Sequence, residues 1–294
     1  MDVQFFWVDV FATTALAGNP LALVPDADAL PDETMQAIAR EFNQSETTFV
    51  VRPERPGADQ RLRSFTPAGV EVFGAGHNAM GAWIWLAQSG RLDPDRDTFV
   101  QQIGDDLLKV RVSGRSSTGA QVSMEQSAPR FLGRVEDREA LAAVLGLRAE
   151  DLAGDRVAEV ASTGAEHLLV PVGSIEAVDA AQPDTAGLRK LLAEAGAEGC
   201  YLYTVALDPA AGVSASARFF NPTVGIAEDP ATGTAAGPLA AVLVRDGLVP
   251  DHGRIVIEQG RRLGRPSRIL LSVDGPLVTI TGTGILAAEG VLHL

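Results

Sequence analysis

Residues 65–90, FTPAGVEVFGAGHNAMGAWIWLAQSG, return in altered form at residues 220–247, FNPTVGIAEDPATGTAAGPLAAVLVRDG. Each stretch begins with a Phe-x-Pro turn, passes through an acidic loop bearing glycine, and runs into an apolar helix that stops before a glycine. Phe65 and Phe220 are 155 residues apart, as are Pro67 and Pro222; Gly76 and Gly233 are 157 apart, as are Gly90 and Gly247. One unit used twice predicts a pair of similar domains. Each offers a helix N-terminus, where unsatisfied N–H groups and the positive end of the helix dipole favour an anion. A cleft between the domains would then hold a small anionic molecule.

The chain of 294 residues is long for a single core, and two domains agree with the repeat offset. With 46% hydrophobic and 21% charged residues the composition is that of a soluble globular protein. No segment reaches the ~18 apolar residues of a membrane span, and MDVQFFWVDVF lacks the basic and apolar regions of a signal peptide, so no membrane partner is expected. A net charge of -14 repels phosphate backbones, which argues against a nucleic-acid partner. The single Cys200 excludes an internal disulfide and, in the apolar run CYLYTVAL, reads as a buried hydrophobe; the expected compartment is the cytoplasm. His77, His167, His252 and His293 show no metal-ligand spacing, and Lys109 and Lys190 lie far from any Gly-rich cradle. Neither a metal nor a cofactor is expected.

VQFFWVDVF reads as a strand, followed by the turn LAGNP and a short strand, LALV. Pro31 and Asp32 introduce a helix with Met35, Ile38, Ala39 and Phe42 on one stripe. It breaks at Asn43, and SETTFV starts the next strand, placing Ser45 and Glu46 at a helix-to-strand junction. Further strands are expected at RLRSFT, TFVQQI, DLLKVRVS and AQVSMEQ, around a helix at 78–88 so apolar that it must be buried on most sides. The second half predicts helices near 136–146 and 184–195 and strands near 167–172, 200–206 and 215–221. After the apolar helix beginning beyond Thr232, hairpin strands follow at RIVIEQG, RILLSVDG, LVTITGTG and ILAAEGVLHL. The domain boundary is expected within 126–136, giving domains 1–128 and 129–294, with the last strand near 285–294 packing back onto the first.

Three patches combine polar groups with backbone suited to a site. In NQSETT, 43–48, Glu46 is either a solvent-facing residue at a strand start or a proton carrier whose pKa a half-closed apolar cleft would raise. In GAGHN, 74–78, Gly74 and Gly76 allow close backbone approach. His77, at the first turn of a helix, is either a cap or a neutral hydrogen-bonding group. The spacing GAGHNAMG is not a dinucleotide fingerprint. In EDPATGTA, 228–235, Thr232, Gly233 and Thr234 supply donors beside the acceptor Asp229, which suits an aminated carboxylate, or is simply a capped helix. Pro238 inside that helix implies that tertiary packing dictates the segment.

The ordered set VDVFATTALAGNPLALV, FNQSETTFV, FTPAGVEVFGAGHNAMGA, STGAEHLLVPV and FNPTVGIAEDPATGTAAGPLA resembles the PhzF-like family of phenazine-biosynthesis isomerases, across essentially the whole chain. The resemblance implies an α+β fold shared with diaminopimelate epimerase and proline racemase: two pseudo-symmetric domains, each an antiparallel barrel-like sheet around a central helix. It also implies a homodimer. Glu46 matches the family's proton-shuttling carboxylate, His77 its Gly-His, and Asp229 the Asp of Asp-Pro-x-Thr-Gly-Ser, in which Thr234 replaces Ser. The related racemases carry a Cys at each helix entrance; here those entrances hold Ala75 and Gly76, and Ala231 and Thr232.

The expectation is therefore a cofactor-independent isomerase acting on a small carboxylate, cyclic or amino-bearing. Glu46, His77 and Asp229 would be catalytic, and Ser45, Gly76, Asn78, Gly233 and Thr234 would bind substrate. The alternatives are an amino acid racemase or epimerase, and an inactive small-ligand binding protein.

Overall fold

The structure is a computed structural model that describes residues 1–116, 119–205 and 212–294. Residue 206, the expected end of one strand, lies outside the described residues. The chain forms two compact units, Met1–Glu125 with Thr281–Leu294, and Gln126–Ile280.

In the first unit the strands close on themselves. Asp2–Val10 pairs with Asn19–Val24, which runs parallel to Thr47–Val51; that strand pairs with Gln60–Phe65, itself parallel to Thr98–Ile103. Asp106–Ser116 and Gly119–Gln126 continue the sheet, and Leu277–His293 joins Gly119–Gln126 to Asp2–Val10. The barrel-like sheet is antiparallel except at two neighbouring pairs, which are parallel. Parallel neighbours need a crossover, and the helices Asp32–Phe42 and His77–Gln88 supply the two crossovers.

The second crossover explains the apolar sequence of His77–Gln88, in which His77 through Leu86 are all buried. Trp83 at its centre satisfies its lone polar atom, donating from Nε1 to Oε1 of buried Gln101 at 2.8 Å. The helix Asp32–Phe42 covers the outside, its Met35, Ile38 and Ala39 packing with Phe49 and Phe65.

LVTITGTG and ILAAEGVLHL, read as two strands, form one strand of 17 residues, Leu277–His293. The glycines between them are not a turn. A Cβ on Gly282 would come within 2.1 Å of Met80 Sδ and 2.7 Å of the Phe11 ring, so glycine there admits the central helix and its neighbours. From Gly284 to His293 the strand pairs with Val10 back to Asp2.

The second unit repeats the plan. Ala158–Ser162, Glu166–Pro171, Gly199–Val205, Ala215–Asn221, Ile255–Gln259 and Ser267–Asp274 pair in that order, again with two parallel junctions. Its buried helix, Gly233–Arg245, continues through buried Pro238. Helices Arg138–Val144, Ile175–Ala180 and Thr185–Ala195 form an outer layer over Leu168, Val170, Cys200 and Leu202. Arg130–Val135, inside the stretch expected to carry the domain boundary, is a strand paired with Ala158–Ser162.

The repeat extends to an ion pair. Arg63 donates to both carboxylate oxygens of Glu71 at 2.8 Å, and Arg218 to both of Glu228 at 2.9 and 2.7 Å. Arg63 and Arg218 are 155 residues apart and Glu71 and Glu228 157, the offsets of the sequence echo. Each forked pair ties a strand to the short strand that precedes the buried helix.

Candidate active site

The first helix entrance is built from its own backbone. Asn78, in the first turn, accepts the Gly76 N–H at 2.8 Å and donates from Nδ2 to the Gly74 carbonyl at 3.0 Å and to Ser64 Oγ at 3.1 Å. Ser64 in turn shares a hydrogen bond of 2.9 Å with Thr48. Asn78 was expected to bind substrate, as was the Gly76 N–H. The structure commits both to locking the loop 74–78, because a buried amide must be satisfied locally. The N–H groups of His77, Asn78 and Ala79 remain at the helix start, where no preceding turn can accept them.

His77 and Glu46 come together here. Asn43 ends the helix Asp32–Phe42 in a left-handed conformation, φ 51°, and the chain reverses through half-buried Ser45 and Glu46 into Thr47–Val51. That brings Glu46 Oε2 to 3.3 Å from His77 Nε2. Burial drives the His77 pKa down to about 4, so the ring is neutral at pH 7. The helix N-terminus was expected to favour the neutral ring; removal of the ring from water acts in the same direction. The contact is a close approach of a neutral ring to a carboxyl oxygen, without hydrogen-bond geometry.

The second entrance carries a different set. Asp229 is buried, and its carboxylate accepts from Thr232 Oγ1. Gln259 organises the turn: its Nε2 donates to the Asp229 carbonyl at 2.7 Å and to Thr232 Oγ1 at 3.0 Å, while its Oε1 accepts from the Thr232 N–H at 3.1 Å and Tyr201 Oη at 2.9 Å. Burial, and then the Asp229 charge, push the Tyr201 phenol above its ordinary range, so it remains a donor. Next to Asp229, Glu228 is held by Arg218, which also donates to the carbonyls of Val178, Asp179 and Ala181.

Gly233 and Thr234 begin the helix. The Gly233 carbonyl accepts from Gln126 Nε2 at 3.0 Å, and Thr234 Oγ1 lies 3.2 Å from Nε2 of His167. Gln126 fits there because Gly237 has no side chain; a Cβ would stand 1.7 Å from Gln126 Oε1.

The sequence pointed to Asp229 and Thr234 but missed Gln259, Tyr201, His167 and Gln126. Gln259 and Tyr201 sit in strands read only for hydrophobicity, and the one signal was a polar or hydroxyl-bearing residue inside an apolar run. Cys200 is buried, its thiol pushed up to about 12 and therefore protonated at neutral pH. Among the described residues no group of three or more His, Cys, Asp or Glu is placed to hold a metal ion, and no helix is long and apolar enough to cross a membrane.

Comparison with known proteins bears on this arrangement. The family described as phenazine biosynthesis-like protein matches residues 8–290. Trans-2,3-dihydro-3-hydroxyanthranilate isomerase of Pseudomonas aeruginosa is 35% identical over 298 residues, covering 99% of both chains. A crystal structure of a PhzF-family phenazine biosynthesis protein from Bacillus anthracis superposes with a TM-score of 0.90 at 28% identity, covering 100% of both. At the level of fold alone, a probable proline racemase from Agrobacterium radiobacter K84 gives a TM-score of 0.64 at 12% identity, covering 99% of this chain and 93% of its own. With its α+β architecture of a closed, barrel-like sheet around a buried helix, this chain belongs to the phenazine biosynthesis-like, or PhzF, family and is an isomerase.

Proposed function

We propose that the isomerase moves a proton, and with it a double bond, within a small cyclic or amino-bearing carboxylate, using no added cofactor. The observation that carries this reading is the Glu46–His77 pair at 3.3 Å beside the open N–H groups of a buried helix. Glu46, as carboxylate, takes a proton from a carbon flanked by a π-system. The electron pair shifts along that system, and Glu46 returns the proton to another carbon on the same face. Neutral His77 flanks the Glu46 carboxyl at 3.3 Å, and the N–H groups of His77 and Asn78 stabilise the anionic intermediate.

In the second unit Asp229, oriented by Thr232 and Gln259, is assigned to an amino or hydroxyl group, and Gly233 and Thr234 to an acid; in the first unit Ser45 is assigned to binding beside Glu46. Trans-2,3-dihydro-3-hydroxyanthranilate, the compound in the Pseudomonas aeruginosa relative's name, has the features this chemistry needs. A homodimer goes with this reading. Racemization by two thiols has no counterpart here, since Cys200 lies in a buried strand.

The test is turnover of that compound by purified, chelator-treated protein in deuterated buffer, with mass spectrometry and optical rotation followed together. Isomerisation without loss of rate in chelator supports the proposal; a chelator-sensitive rate, or α-carbon racemization of amino acids instead, refutes it.

A further inference from the structure

Thr234 stands at the first turn of the second buried helix with a neighbour whose proton decides what the threonine can do. His167, on Glu166–Pro171, is 2% exposed, and its ring is fixed edge to face against Phe219 with centroids 5.0 Å apart. Phe219 is itself seated over Gly199, where a Cβ would come within 2.4 Å of the ring. His167 Nε2 lies 3.2 Å from Thr234 Oγ1, whereas Nδ1 is buried and has no hydrogen-bond partner among the described residues.

A neutral imidazole carries one proton, on either nitrogen. Placed on Nδ1, it would be a buried N–H with no acceptor, at a cost of about 1–3 kcal/mol. Orphaned buried N–H groups are rarer than under-satisfied acceptors, so the proton belongs on Nε2. We infer that His167 is a positioning residue which donates Nε2–H to Thr234 Oγ1 and so turns the threonine hydroxyl hydrogen outward, as a committed donor to the substrate's carboxylate.

The hydroxyl then works with the Gly233 and Thr234 N–H groups, and these three groups present donors only, with the acceptor Asp229 at the other side of the entrance turn. An acid is recognised and a neutral amide, whose NH2 would face those donors, is disfavoured. The tautomer stands on the geometry alone, and its use in binding a carboxylate rests on the function proposed above.

Long-range proton–nitrogen correlation spectra of the 15N-labelled protein decide the first part. The expected result is a His167 ring protonated at Nε2 and bare at Nδ1, whose resonances move in T234V while those of His77 do not. A ring protonated at Nδ1, or one indifferent to T234V, overturns the inference. Kinetics with trans-2,3-dihydro-3-hydroxyanthranilate decide the second part. H167F should raise KM by about tenfold with little change in kcat, and H167Q, whose side-chain amide can replace the Nε2–H donor, should recover most of it. A fall confined to kcat, or no recovery with Gln, overturns the carboxylate role. Absence of wild-type turnover would refute the proposed substrate while leaving the tautomer assignment standing.

Discussion

Nε2 of His77 lies 3.3 Å from Oε2 of Glu46, although they are 31 positions apart with the strands Thr47–Val51, Gln60–Phe65 and Glu71–Val72 between them. The carboxyl comes from the end of one crossover and the imidazole from the start of the next. Their meeting is therefore a property of the closed sheet. His77→Gln retains a side-chain amide beside the carboxyl but not a ring that can take up and give back a proton. We expect it to lower kcat by roughly tenfold to a hundredfold and leave KM within about threefold, measured by steady-state kinetics.

Acid should weaken the fold through its buried histidines. Burial lowers both His77 and His167 from 6.5 to about 4. Between those values the unfolded chain binds more protons than the folded one, so stability rises with pH. The contribution is complete above about 6.5 and lost as pH falls through about 4. It amounts to about 3 kcal/mol per histidine at most. Urea unfolding at pH 7.5 and 4.5 should show that loss, and H167F, with one titrating ring fewer, should show a smaller one.

The twin ion pairs should differ in worth. Arg218 and Glu228 have side chains only 10% and 12% exposed, and Arg218 also caps three carbonyls. Removing its carboxylate leaves a buried cation: Glu228→Ala should cost about 3–5 kcal/mol in chemical denaturation. Glu71 is more exposed, and Arg63 keeps Asp32 at 2.6 Å when it is removed. Glu71→Ala should cost clearly less; an equal cost would show that burial does not set the difference.

Asn78 is predicted to act through the loop it locks. Asn78→Leu strands the Gly76 N–H, the Gly74 carbonyl and one bond of Ser64, and should destabilise by about 1–3 kcal/mol. Its effect on turnover should parallel greater hydrogen exchange in residues 74–77; lost activity with exchange unchanged would return Asn78 to the substrate.

The duplicated fold was legible because repetition leaves marks that do not depend on burial: Phe-x-Pro, the glycines and the apolar helices recur at fixed offsets. Glu46, His77 and Asp229 stood out as motif residues, and the fold brings the first two together. The fold turns chain-distant residues into neighbours through strand pairing, and a linear reading does not contain that step. So Gln259, Tyr201, His167 and Gln126 passed as parts of ordinary strands, and the Gly-Thr-Gly at 282–284 passed as a turn when its first glycine makes room for Met80 and Phe11. The loop-holding bonds of Asn78 went unread for the opposite reason, since a polar side chain at a helix start reads the same whether it serves a ligand or its own loop.

The central claim is that one carboxylate, Glu46, carries the proton. Solvent-deuterium incorporation into product by wild type and Glu46→Gln, followed by mass spectrometry beside ligand affinity from calorimetry, tests it directly. The account predicts that Glu46→Gln binds within about threefold of wild type while incorporation falls by at least about a hundredfold. Near-normal incorporation by the glutamine variant would contradict it.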